Sequence, residues 1–134
     1  MPETPAKPRW STAPCFLVAD VVATAYYYRD TLGFQYNMFW GEPPCFTITT
    51  RNGASVMLSQ QGNPGRMLPN STGDPEDESW DAYFWIDDAD TLYKEFGDKG
   101  VTFTQPICDQ PYGCRDFTIR DCNGYSLGFG QNLL

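Results

Sequence analysis

Apolar and polar positions alternate most clearly near the C-terminus. Phe117 and Ile119 precede Asn123-Gly124, and Leu127 and Phe129 follow it. A period of two marks strands. Asn-Gly between two such runs marks a hairpin, because the turn needs the positive φ that Asn and Gly tolerate. The middle of the chain repeats the signature at Asn52-Gly53, before Ala54-Ser55-Val56-Met57-Leu58. Both copies read Asn-Gly-x-Ser, and Asn52 lies 71 positions before Asn123. A matched pair of this kind predicts a duplicated unit.

The remaining pattern fills in both units. Residues 13–19 alternate weakly and read as a strand. Asp20 is a suitable N-cap, its carboxylate able to accept from orphan backbone N–H groups. A helix follows to about Leu32, with Val21, Thr24, Tyr27 and Tyr28 on its inner face, and Gly33 closes it. Residues 34–39 read as a strand, 40–44 as a turn, and 45–50 with 54–60 as the first hairpin. Residues 80–86 read as an aromatic strand. Asp88 caps a second helix with Ala89, Leu92, Tyr93 and Phe96 at i, i+3, i+4 and i+7, ended by Gly97 or Gly100. Residues 101–103 read as a strand, 105–113 as a Pro-containing loop and 114–131 as the second hairpin. Asp20 thus aligns with Asp88, Gly33 with Gly100 and Gly53 with Gly124. The fold class is α+β, built of two βαβββ modules at 12–60 and 80–134. Residues 1–11 form a Pro-rich arm with Trp10 as an anchor. Residues 61–79 are too long for a tight connection and read as a linker or lid. Their acid cluster (Asp74, Glu76, Asp77, Glu78) reads as solvated loop.

Composition narrows the function classes. The chain has 134 residues, enough for one domain or two small modules on a common core. Its net charge of −8 argues against nucleic acid, whose phosphates favour basic surfaces, and permits a cationic ligand. No apolar run approaches the roughly 20 residues that span a bilayer, so no membrane is expected. The first ten residues lack an apolar signal-peptide core, and a cytoplasmic protein is expected. There is no His, which removes Ser-His and Cys-His nucleophiles and the commonest metal ligand. Five cysteines, an odd number without paired close spacing, read as reduced thiols buried as small hydrophobes.

The residues 16–20 (Phe-Leu-Val-Ala-Asp), 27–34 (Tyr-Tyr-Arg-Asp-Thr-Leu-Gly-Phe) and 116–125 (Asp-Phe-Thr-Ile-Arg-Asp-Cys-Asn-Gly-Tyr) carry a family likeness. With the duplicated module, the chain resembles the vicinal oxygen chelate superfamily, which includes glyoxalase I, extradiol dioxygenases and the glyoxalase/bleomycin-resistance binding proteins. The resemblance implies curved mixed sheets forming a cup with the helices outside, and a homodimer whose sites draw on both chains. It also implies where metal-dependent members place their ligands, which here are Ala13, Met57, Asp81 and Gly128. Only Asp81 offers a hard oxygen donor, so neither a metal nor another cofactor is expected.

If Met57 and Asp81 face the cup, alternation puts Cys15, Leu17, Ser55, Ser59, Tyr83, Trp85, Ser126, Gly128 and Gly130 there as well. Phe16, Val18, Val56, Leu58, Phe84, Ile86, Leu127 and Phe129 then meet the helices. Candidate ligand contacts are Met57, Ser59, Asp81, Tyr83 and Trp85, with Phe39, Trp40 and Tyr112 as rim residues or loop anchors. Such a mixture suits a flat, partly apolar ligand held by stacking and a few hydrogen bonds. Three functions are open. The first is metal-independent sequestration of an aromatic or cationic small molecule in a dimeric cup, as in the bleomycin-resistance type. The second is a metal-free lyase or isomerase with Asp81 as general base and Tyr83 as donor. The third is a module whose aromatic face is buried against another protein.

Overall fold

Each half of the chain builds a four-stranded sheet with one helix against it. The computed structural model describes residues 10–71, 76, 77 and 79–134. The first half comprises β1 (Cys15–Val18), α1 (Val21–Asp30), β2 (Gln35–Trp40), β3 (Phe46–Arg51) and β4 (Ala54–Gln60). The second comprises β5 (Ala82–Trp85), α2 (Ala89–Asp98), β6 (Thr102–Asp109), β7 (Cys114–Arg120) and β8 (Ser126–Asn132). The strand orders are β1-β4-β3-β2 and β5-β8-β7-β6, the same topology twice, with the first strand of each half parallel to the last. A short 3-10 turn, Pro64–Arg66, lies in the connection.

The local signals act as their chemistry requires. The Asp20 carboxylate accepts from the Ala23 N–H at 3.0 Å, and that of Asp88 from the Thr91 N–H at 3.1 Å. Gly53 and Gly124 sit at φ of 88° and 87° in the two hairpin turns, where a side chain is disfavoured. Strand β6 runs to Asp109, beyond the three residues expected, and includes Pro106. Among the described residues it pairs only with β7, through two register shifts, and an edge strand tolerates a proline that donates nothing to a second neighbour. Four of the five cysteines (Cys15, Cys45, Cys108, Cys122) are exposed and only Cys114 is buried, so the burial expected of them is corrected. Trp10 is 92% exposed. Residues 1–9 of the arm and the acid-cluster members Asp74 and Glu78 lie outside the described residues.

One core runs through both halves. Of the eight residues assigned to the helix side, seven are buried and Ile86 packs against them half-buried. Aromatic pairs cross the seam. Phe34 meets Phe84 edge-on at 6.1 Å, and Phe16 stacks on Tyr125 at 4.4 Å. The Tyr125 hydroxyl also donates to the Leu17 carbonyl.

The two ends of the seam are closed differently. At one end, α1 meets the β7–β8 turn through Asp121. One carboxylate oxygen accepts the Tyr28 hydroxyl at 2.6 Å, and the other accepts the backbone N–H groups of Asn123 and Tyr125, both at 2.9 Å. Burial raises the Asp121 carboxyl above its ordinary value despite these bonds. Burial and the Asp121 charge together push Tyr27 up to about 12. At the other end, α2 meets the β3–β4 turn through Arg51, which grips Glu95 with two nitrogens at 2.7 and 2.9 Å and donates to the Leu32 carbonyl at 2.7 Å. Behind that clamp a cavity of about 320 Å³ remains, between Phe34, Phe84, Leu92 and Phe129. Both partners of the clamp are partly solvated, so its coupling is screened. A double-mutant cycle of Arg51→Met and Glu95→Gln in urea should return about 0.5–1 kcal/mol.

Candidate functional site

Register assigns the face of each sheet turned away from its helix. In the first sheet two rows cross it: Cys15, Met57 and Ile48, then Leu17, Ser59, Phe46 and Trp40. In the second the rows are Tyr83, Gly128, Thr118 and Gln105, then Trp85, Gly130, Asp116 and Cys108. Trp40 and Phe46 touch at 5.6 Å. Trp40 is 44% exposed, Trp85 66% and Tyr112 50%. A cleft of about 760 Å³ is lined by residues 10–14, 52–55 and 81–85, and so brings Asp81, Tyr83 and Trp85 to one place.

Phe39 does not belong with them. A register shift between Tyr36 and Phe39 brings both to the helix side, where Phe39 pairs with the buried Thr47 and lies 4.8 Å from Tyr36. The bulge, invisible as alternation, moves this residue off the open face. Asp81 also has a local occupation. Its two oxygens accept the backbone N–H groups of Asn70 at 2.7 Å and Ser126 at 2.8 Å, stapling the connecting loop to the start of β8.

The glycines of β8 leave no vacancy, because the chain fills the room itself. A Cβ on Gly128 would stand 2.6 Å from the Tyr83 ring and 2.9 Å from the Trp80 indole nitrogen. One on Gly130 would stand 1.8 Å from the Tyr83 hydroxyl. Trp80 precedes β5 and folds over the sheet, donating its indole N–H to the Thr118 hydroxyl at 3.0 Å. Tyr83 contacts Trp80 at 4.7 Å and Trp85 at 5.1 Å, both edge-on.

Beneath these rings lies Asp116, which is 0% exposed. One of its oxygens accepts from Tyr83 at 2.9 Å and Tyr112 at 2.6 Å. The other accepts from Gln105 at 2.9 Å and Gln110 at 3.0 Å. Burial alone would raise this carboxyl, but the bonds from Tyr112, Gln105, Gln110 and Tyr83 outweigh it and hold it below its ordinary value. Burial, and then the bond to Asp116, raises both phenols far above the usual tyrosine range. The group is therefore an ionised carboxylate under a canopy of protonated phenols.

A family model for the glyoxalase/bleomycin resistance protein/dioxygenase superfamily matches residues 13–129. The chain belongs to that superfamily. No curated protein matches it. Among solved structures it is similar to TioX from Micromonospora sp. ML1, with a TM-score of 0.70 and 18% identity over 90% of this chain and 97% of that one. It is similar to the bleomycin-binding protein of bleomycin-producing Streptomyces verticillus complexed with copper(II)-bleomycin, with a TM-score of 0.67 and 22% identity over 92% and 97%. A superfamily member from Alicyclobacillus acidocaldarius gives a TM-score of 0.73 at 15% identity over 96% and 95%. At these identities the likeness is one of fold.

For a superfamily member, the positions that would hold a metal can be tested on this chain's own chemistry. Ala13 and Gly128 offer no donor, Met57 offers a thioether, and the Asp81 carboxylate is bonded to two backbone amides. The space before Gly128 is taken by Tyr83 and Trp80. These residues do not fit a catalytic divalent ion, which needs several converging oxygen or nitrogen donors.

Sequence reasoning places Met57, Ser59, Asp81, Tyr83, Trp85, Trp40 and Tyr112 on or beside the open faces, and it misses Asp116, Trp80, Gln105 and Gln110. A signal for Asp116 exists. With Phe117 and Ile119 on the helix side, alternation puts Asp116 and Thr118 on the open face of a central strand.

Proposed function

We propose that this superfamily member binds, without converting it, a flat aromatic or cationic small molecule on its open faces, as a homodimer in which the cup of one chain is completed by the other. The observation that carries this reading is the contrast between the two sides of the sheets. The helix side carries the buried apolar core, whereas Trp40 on the first sheet, Trp85 on the second and Tyr112 beside it stand exposed on the opposite side. Large aromatics exposed on the faces turned away from the helices support a binding surface there. The structural likeness to a protein that binds copper(II)-bleomycin supports a ligand of natural-product type. All five cysteines are free, which fits the reducing cytoplasm. The alternative, a lyase or isomerase using Asp81 as base, has to take its base from a carboxylate already stapled to two amides.

A thermal-shift and tryptophan-fluorescence screen over cationic glycopeptides and planar aromatic natural products tests the reading. The expected result is a saturable shift with at least one compound. For that compound, Trp85→Ala should weaken binding about 30-fold, in line with loss of an aromatic anchor worth about 2 kcal/mol. A flat response across the panel would sink the proposal. Sedimentation of the free protein as a monomer would remove its dimeric part. Turnover lost in Asp81→Asn, with binding kept, would favour the enzyme instead.

A further inference from the structure

We infer that Asp116, with the rings of Tyr83, Trp85 and Tyr112 around it, is the anchor for a fully alkylated ammonium group. This rests on the reading of the open face as a ligand site, and it names the chemical class that the second sheet selects.

The argument starts from the unbalanced charge. Asp116 is ionised and fully buried, yet its four partners, two phenols and two primary amides, are neutral. Among the described residues, the arginines that form ion pairs do so elsewhere: Arg29 with Asp30, Arg51 with Glu95, and Arg115 with Asp90 and Asp109. Arg120 lies on the same face of β7 but four residues away, and it reaches Ser71. A buried charge that meets only dipoles is stabilised by them, but its field is not cancelled.

That field reaches the surface through the exposed Tyr112. Tyr83 and Tyr112 both donate to the same oxygen of Asp116, so each phenol oxygen is made more negative on its remaining lone-pair side. Tyr112 and Trp85 are the exposed members of the group, and the Tyr83 and Trp85 rings meet at 67° to form a corner. Aromatic faces attract cations, and more so where water is excluded. Here the ring faces and the carboxylate act with the same sign.

The saturation of Asp116 decides which cation. Each of its oxygens already accepts two hydrogen bonds, so a ligand N–H finds no free lone pair there without breaking the network. A quaternary ammonium asks for none. It is held by ring faces and by the field behind them, which is what this corner offers. A primary ammonium or a guanidinium finds only the outer lone pairs of the two phenols, fewer acceptors than it has N–H groups.

The test uses choline and its uncharged isostere 3,3-dimethyl-1-butanol, titrated into the full chain and followed by two-dimensional NMR of the indole N–H groups. Choline should bind about tenfold or more tightly than the isostere and shift the Trp85 and Trp80 indole signals. Asp116→Asn keeps the shape and can still bond both amides and phenols. It should abolish the ratio by weakening choline alone. Equal loss of both compounds in Asp116→Asn would mean a purely structural role and overturn the inference. So would an unchanged ratio. If Asp116→Asn does not fold, the wild-type spectra still decide: choline shifts confined to other regions, or no binding of either compound, overturn it. Equal binding of both compounds at the indoles overturns the ammonium anchor while leaving the small-molecule reading intact. A ligand panel without a hit, as above, is what removes that broader reading.

Discussion

Asp121→Ala is expected to lower stability by roughly 3–5 kcal/mol, a large share of the ~5–15 kcal/mol typical of a domain. The substitution strips partners from the Tyr28 hydroxyl and from the backbone N–H groups of Asn123 and Tyr125. Tyr28 is fully buried and Tyr125 nearly so. A buried donor left without an acceptor costs about 1–3 kcal/mol, and relief of a buried charge returns only part of that. Asp121→Asn should behave quite differently. Its carbonyl can serve the two amides while its NH₂ donates to the Tyr28 oxygen, and the buried charge disappears. The comparison also has a pH signature. The Asp121 carboxyl is raised in the fold by burial, so the protonated form is the better fit. The stability associated with that proton is complete below the ordinary value of 3.8 and is lost as pH rises through the higher folded value. Urea unfolding of wild type and Asp121→Asn from acid to neutral pH should therefore show wild type losing ground as pH rises. A constant difference between them would refute the assignment, as would an Asp121→Ala protein of wild-type stability.

Gly130→Ala should cost about 2–3 kcal/mol through a different mechanism. The backbone of β8 can accept an alanine here, but the added carbon would lie 1.8 Å from the Tyr83 hydroxyl and 2.6 Å from the ring carbon that bears it. Tyr83 must leave, taking its bond to Asp116 and its contacts with Trp80 and Trp85 with it. Inserting a methyl group into a filled site typically costs 1–3 kcal/mol, and the buried carboxylate loses a donor as well. A urea midpoint and near-ultraviolet circular dichroism measure both parts. An unchanged aromatic spectrum with an unchanged midpoint would contradict the packing described here.

The fold was legible because its signals are local and repeated. Asp20 and Asp88 cap, the two Asn-Gly turns close hairpins, and period-two alternation sorts Val56 and Leu58 from Met57 and Ser59. The site was legible only by face. Tyr83 and Trp85 follow from alternation, but the register shift that turns Phe39 towards the helix leaves no mark in residue type. The greatest difference concerns glycine. In sequence, Gly128 and Gly130 read only as positions facing the cup. In the structure the space before them belongs to Tyr83 and Trp80, the latter from a residue ahead of its strand. What fills a space depends on contacts 30 to 50 residues apart, and no local pattern encodes them. The Asp116 hub has the same character, since Tyr112 reaches it from a turn and Gln105 from a bulged edge strand.

The filling of that space has a consequence for any attempt to install a metal here. Tyr83 and Trp80 occupy the place that a side chain at position 128 would need. A glutamate placed at 128 would meet an indole and a phenol, and it would have to dislodge both before reaching any ion. It would still lack companions at Ala13 and Met57. A single substitution at 128 therefore disturbs the packing without building a metal site. The aromatic canopy thus occupies the position as firmly as a side chain of its own would.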